Sequence, residues 1–200
     1  MLTLYHAPQS RSSRIVWLLE ELGADYEIAY MNIVRADGSG AADAGNPHPD
    51  KKVPALVHDG ELVTESTAIM LYLTDLFPDA ALAPQVGKAG RGAYLTWLAY
   101  YSGVMEPVLN HQFVGLDGHE GLARTFRSRK ELDARILGAL EGAPFIMGEA
   151  FTAADLLFAS LGHVVREMLP AGDTVDAYLA RCADRPALAA ARAKDSPPSA

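Results

Sequence analysis

The chain has 200 residues, 50% hydrophobic and 21% charged, a composition that belongs to a folded globular protein and excludes bulk disorder. Its 17 Lys and Arg against 25 Asp and Glu give a net charge of −8, with no local basic run, so a nucleic-acid backbone is an unfavourable partner. Cys182 is the one cysteine, which excludes an internal disulfide, and no Cys and His cluster has zinc-site spacing; no metal is expected, and the compartment predicted is the cytoplasm. Met1 to Arg14 has no basic segment leading into an apolar one, and no stretch reaches the roughly 18 apolar residues of a membrane span, so neither export nor a membrane partner is expected.

Leu2, Leu4 and His6 alternate with Thr3 and Tyr5 in a short strand that Ala7-Pro8 stops, because proline cannot donate to a ladder. Ile15, Leu18, Leu19 and Leu22 then fall at i, i+3, i+4 and i+7, a helical stripe closed by Gly23. Tyr26 to Met31 reads as a second strand, parallel to the first through a right-handed crossover. Arg35 to Lys52 is polar and rich in Gly and Pro, a loop with a helical turn near Ala41 to Ala44. Val53 to His58 and Glu61 to Val63 flank Asp59-Gly60, a strong hairpin signal. Ile69, Tyr72, Leu73 and Leu76 repeat the helical stripe before Pro78. The order βαβ then ββα over residues 1–77 is that of a thioredoxin-like α/β domain.

Residues 78–92 hold two prolines and three glycines and read as a linker. From 93 to 200 the pattern is all-helical. Ala93 to Leu116 and Glu120 to Leu140 read as two long helices. Thr152 and Asp155 form a capping box, with Phe151 and Leu156 at the staple positions, and start an apolar helix over Ala153 to Met168 that belongs at the centre of the domain. Val175 to Cys182 and Pro186 to Ala193 complete the helices, and Ser196 to Ala200 reads as a frayed tail.

Four features in this order make the sequence resemble the cytosolic, bacterial-type glutathione S-transferases over nearly its whole length. They are Ser10 just after the first strand, Val53-Pro54 before the third, Glu65-Ser66 at the start of the third helical region, and the Thr152 to Asp155 box. The resemblance implies an N-terminal domain that binds glutathione as co-substrate and an all-α domain that supplies the pocket for a hydrophobic electrophile. It also implies a cis peptide bond at Pro54, which turns the backbone of Val53 outward to pair, as a sheet edge would, with the cysteinyl part of glutathione. Glu65 and Ser66 would take the γ-glutamyl group, the carboxylate on the helix N-terminus and the ammonium on Glu65. Lys52, or its neighbour Lys51, would meet the glycine carboxylate.

Bringing a thiol from a pKa near 8.5 to about 6.5 takes ~2.7 kcal/mol of extra thiolate stabilisation. A charge-strength hydrogen bond at a helix N-terminus is of that order. Ser10 is the expected donor, two residues after Pro8 and four before Arg14 as in the serine-using classes that this segment resembles, with Ser12, Ser13 and Arg11 as alternatives. No cysteine lies nearby, so mixed-disulfide chemistry is not expected. Tyr100, Tyr101 and Met105, with His111, are candidates for the second-substrate pocket, although aromatic residues at this spacing also serve as core. Cys182 reads as a small core residue. The reaction predicted is conjugation of the glutathione thiolate to hydrophobic electrophiles, with detoxification as its setting. The alternatives are a glutathione-binding or interaction module without turnover, and a glutathione-dependent isomerase or peroxidase. The resemblance further implies a two-fold homodimer.

Overall fold

The computed structural model describes residues 1–116 and 118–197, and the chain divides into two compact units. Unit 1 comprises Met1–Ala80 together with the chain from Arg185 onward; unit 2 is Ala81–Asp184. Unit 1 contains β1 (Leu2–His6), α1 (Ser13–Leu22), β2 (Tyr26–Tyr30), β3 (Ala55–His58), β4 (Glu61–Thr64) and α2 (Ser66–Leu76). The strands lie in the order β2-β1-β3-β4, with β1 parallel to β2 and the other pairs antiparallel. This is the thioredoxin-like arrangement expected from sequence. Asp59 and Gly60, both at positive φ (48° and 88°), form the two-residue turn between β3 and β4, as the Asp-Gly pair predicts.

The α1 stripe is buried as its periodicity requires, and Gly23 ends the helix in the left-handed conformation that glycine adopts without steric cost. On α2 the buried face is turned by about a residue. Ile69 and Leu73 are buried as expected, but Met70 and Thr74 accompany them, while Leu76 is exposed and Tyr72 lies half-buried with its hydroxyl 2.7 Å from Nδ1 of His58. Thr74 donates its hydroxyl back to the Met70 carbonyl, so the helix itself satisfies the polar atom this rotation buries. No helical turn forms at residues 41–44. Asp43 instead organises a loop turn, accepting the Gly45 N–H at 2.8 Å through its carboxylate.

Unit 2 contains α3 (Arg91–Tyr100), a π-helical turn (Tyr101–Met105), α4 (Glu106–Phe113), α5 (Glu120–Ala123), α6 (Arg129–Leu140), α7 (Ala153–Val164) and α8 (Asp173–Ala183). The expected single helix over Ala93 to Leu116 is thus widened midway. Pro107 has no N–H to donate and its ring displaces the carbonyl one turn back, which accounts for the π turn just before it. The expected helix over Glu120 to Leu140 is broken, because Ser128 and Glu131 close a capping box that starts α6 afresh. The box at Thr152 and Asp155 forms as predicted and starts α7, whose first turns are almost wholly buried. That helix ends at Val164, short of Met168, and a 3-10 turn follows over Arg166–Met168.

The last helix, α9 (Pro186–Ala193), departs from the expected grouping of residues 93–200. It packs on α1 in unit 1, where Arg185 grips Glu21 through two parallel bonds, Nε to Oε1 and Nη2 to Oε2, each 2.6 Å. Leu82, within the expected linker, is buried in unit 2 and its carbonyl accepts the Ala153 N–H at 2.8 Å. Of the expected frayed tail, Ser196 accepts a bond from Tyr30, and residues 198–200 lie outside the described residues.

Candidate active site

The register of unit 1 gathers three loops at one end of the sheet. Tyr5 of β1 pairs with Ala55, the first residue of β3, and Ala55 pairs with Thr64, the last of β4. Whatever follows β1, precedes β3 or follows β4 therefore emerges at the same end. Those segments carry Ser10, Val53-Pro54 and Glu65-Ser66.

After β1 the chain turns through Gln9, which lies in the left-handed region at φ 53°. Ser10 follows, half-buried, its hydroxyl 2.7 Å from the Ala7 carbonyl, to which it donates, and 2.7 Å from Oγ of Ser12. Its oxygen also accepts the Ser12 N–H at 3.1 Å. Ser12 is fully buried. Its Oγ accepts the Ala7 N–H at 3.1 Å and lies 2.8 Å from Nδ1 of His6. Ser12, expected as an alternative donor to the thiolate, is therefore committed to holding β1 to the start of α1. Ser13 accepts the Ser10 N–H at 3.3 Å, and the Arg11 side chain is exposed. His6 is buried, and desolvation pushes its pKa below the usual histidine value against the opposing pull of the Asp195 carbonyl and carboxylate.

Val53-Pro54 is cis, as the resemblance implies. Val53 precedes the first ladder pair of β3, and among the described residues neither its N–H nor its carbonyl has a hydrogen-bond partner. Two buried residues that sequence reasoning passes over shape this loop. Asn46, fully enclosed, donates Nδ2–H to the Lys52 carbonyl at 2.9 Å and accepts the His48 N–H at 3.0 Å, and His48 accepts the Asp50 N–H at 3.0 Å. The signal for Asn46 is the Asn46-Pro47 dipeptide, a turn initiator. Lys51 spends its ammonium on the Asn46 carbonyl at 2.7 Å, whereas the Lys52 side chain is exposed.

Glu65 is the N-cap of α2 in an uncommon conformation, φ 67° and ψ 123°, with no capping bond from its side chain. No acidic side chain occupies the first turn of α2, so its N–H groups and partial positive charge are left for another anion.

The pocket candidates lie in unit 2 and are enclosed. Tyr101 stacks edge-on against Phe158 of α7 at 5.3 Å, Met105 is fully buried, and Tyr100 lies beneath the Arg135 guanidinium at 4.4 Å with its hydroxyl buried and, among the described residues, unpartnered. Enclosure of this kind favours a core role for all three. His111 differs: it stacks on Phe126 at 4.7 Å and lines a cavity of about 320 Å³ with Val108, Leu122 and Phe126. Cys182 is a buried free thiol, as its reading as core requires. Among the described residues no group of His, Cys, Asp and Glu could hold a metal, and no helix is long and apolar enough to cross a membrane.

Residues 1–75 match the family model for the glutathione S-transferase N-terminal domain. The glutathione S-transferase GstA of Escherichia coli O157:H7 is 30% identical over 92% of this chain and 93% of its own length. The chain belongs to the glutathione S-transferase family. Its fold agrees over both units. A glutathione transferase of Methylococcus capsulatus superposes with a TM-score of 0.77 at 28% identity, over 98% of each chain. A sphingomonad glutathione S-transferase, solved in complex with glutathione, gives 0.75 at 29% identity over 96% of this chain and 98% of that one. A probable maleylacetoacetate isomerase of Caenorhabditis elegans is 27% identical over 94% of this chain and 91% of its own. The family model covers the three loops at the end of the sheet, the segment in which the polar backbone and hydroxyl groups converge.

Proposed function

We propose that this protein is a glutathione transferase that binds glutathione across the three loops of unit 1 and adds its thiolate to hydrophobic electrophiles. The observation that carries the reading is the register Tyr5–Ala55–Thr64, which sets a hydroxyl, an unpaired backbone edge and a helix N-terminus side by side. Each suits one part of the tripeptide. The α2 N-terminus at Ser66 complements the γ-glutamyl carboxylate and Glu65 its ammonium. The Val53 backbone, free on both polar groups, complements the extended cysteinyl unit. Exposed Lys52 is the cation for the glycine carboxylate, since Lys51 is spent within the loop.

Ser10 is the donor to sulfur. Its proton can turn from the Ala7 carbonyl to a thiolate without disturbing the Ser12 N–H that holds its oxygen. Arg11 adds positive charge beside it; Ser12 supports the loop. The chemistry is stabilisation of the thiolate together with proximity to an electrophile. A glutathione-dependent isomerase, favoured by the likeness to the nematode protein, would use the same thiolate and differ in the electrophile. Turnover of a chloronitrobenzene against a panel of unsaturated acids separates the two.

Calorimetry tests the binding assignment. Glu65→Ala and Ser66→Ala should each weaken glutathione about tenfold, the loss of one charge-assisted contact. Wild-type affinity in both variants would show that the ligand lies elsewhere.

A further inference from the structure

The Ser10 loop is fastened to Asp195, which reaches it from beyond α9. The Gln9 N–H donates to Oδ2 of Asp195 at 3.1 Å, and Nε2 of buried His6 lies 3.0 Å from the Asp195 carbonyl. A carbonyl only accepts, so neutral His6 carries its proton on Nε2 and turns the lone pair of Nδ1 toward the Ser12 hydroxyl, 2.8 Å away. Ser12 donates there in preference to the Ala7 carbonyl, which lies farther away at 3.2 Å, and keeps its oxygen as acceptor for the Ala7 N–H. The Ser12 N–H in turn holds the Ser10 oxygen. The place of that oxygen is thus set from Asp195 through His6 and Ser12, while its proton remains free to turn.

We infer that Asp195, acting through His6, Ser12 and Gln9, is a positioning residue that keeps the Ser10 hydroxyl aimed at the glutathione thiolate. The inference rests on the reading of Ser10 as the donor. Two independent features support it. Gln9 is a non-glycine residue held at positive φ, a conformation that persists only where its surroundings enforce it, and the Asp195 carboxylate takes that residue's own N–H. Asp195 is itself held, because the Tyr30 hydroxyl bonds to the carbonyls of Lys194 (2.9 Å) and Ser196 (3.1 Å), and Nζ of Lys194 meets Glu20 at 2.6 Å. The groups facing His6 are the Asp195 carboxylate, with Oδ1 at 3.6 Å from Nε2, the Ser12 hydroxyl of the α1 N-cap, and the ring of Tyr30 on β2 at 5.6 Å. Burial outweighs the nearby carboxylate and keeps His6 neutral, the form the chain of bonds needs.

The test follows the ultraviolet absorbance of bound thiolate against pH, with kcat and KM for glutathione, in Asp195→Ala, Asp195→Asn, His6→Asn and Ser10→Ala. Asp195→Ala removes the carboxylate from the Gln9 N–H and leaves the main-chain carbonyl on His6, and should raise the thiolate pKa by about half a unit, lowering kcat/KM about threefold on the acid side, with KM for glutathione unmoved because its other anchors are untouched. Asp195→Asn, whose amide oxygen still accepts the Gln9 N–H, should restore wild-type titration. His6→Asn keeps an acceptor for Ser12 but cannot reach the Asp195 carbonyl, and should shift the titration the same way even if Asp195→Ala does not fold. A wild-type titration in Asp195→Ala or His6→Asn beside a shifted one in Ser10→Ala overturns the positioning role and leaves Ser10 standing. A wild-type titration in Ser10→Ala overturns the reading of Ser10, and the proposal with it. Failure of Asp195→Asn to restore the titration would assign the effect to charge and overturn the positioning role as well.

Discussion

His6 carries a cost that makes it a reporter. Folding strips water from its ring and lowers its pKa below the ordinary value near 6.5, the Asp195 carbonyl and carboxylate offsetting part of the shift. The unfolded chain therefore takes up a proton before the folded one does. Stability from this residue is complete above pH 6.5 and is lost as pH falls from there through the folded pKa. Denaturant midpoints measured between pH 7.5 and 5 should fall for the wild type, and His6→Asn should flatten that decline. An equal decline in the variant would assign the acid sensitivity to another group. The same ring sets two hydroxyls two residues apart in different surroundings: Ser12 is buried against His6, and Ser10 is half-buried at the end of the sheet.

At the scale of elements, several helices are cut by residues that also serve them well. Pro107 sits comfortably at the start of α4 and forces the π turn behind it, and Ser128 with Glu131 is a helix start placed inside a region otherwise periodic enough to run on. The Ser-x-x-Glu spacing is visible in the sequence. It marks a break only when the capping bonds are given more weight than the apolar repeat. The attachment of α9 depends on the fork between Arg185 and Glu21, whose carboxylate is nearly buried and also accepts the Trp17 indole N–H at 3.0 Å. Arg185→Ala removes two charge-assisted bonds and should destabilise the protein by about 2 kcal/mol, read from urea unfolding. A change below about 0.5 kcal/mol would class the fork with ordinary surface ion pairs.

For the whole molecule, the two-fold dimer that the family resemblance implies would cover exposed apolar surface. Ala68, Leu62 and Leu76 of unit 1 are exposed and Leu71 is half-exposed, and in unit 2 Leu95 of α3 is exposed. Met70 of α2 is buried within the chain and adds nothing to this exposed surface. Sedimentation equilibrium at micromolar concentration should give twice the chain mass of 21.4 kDa. A mass of 21.4 kDa at every concentration would exclude the dimer.

What the sequence by itself determined is what short-range chemistry encodes. The succession of elements in unit 1, the Asp59-Gly60 hairpin, the α1 stripe closed by Gly23 and the box at Thr152 all follow from residues a few positions apart, whose periodicity and turn preferences act locally. The segments of the candidate site were legible to the same depth. The loops of Ser10, Val53-Pro54 and Glu65-Ser66 stand out locally, and a simple antiparallel register then brings them together. Only the tertiary structure decided which side chains are enclosed and by what. An apolar stripe reads the same whether it faces a substrate or a neighbouring helix, so Tyr101 and Met105 proved enclosed only when α7 was in place. Asp195 and His6, far apart in the chain and unremarked in any motif, meet because α9 folds back onto α1, and no local spacing records a contact that the whole fold must close.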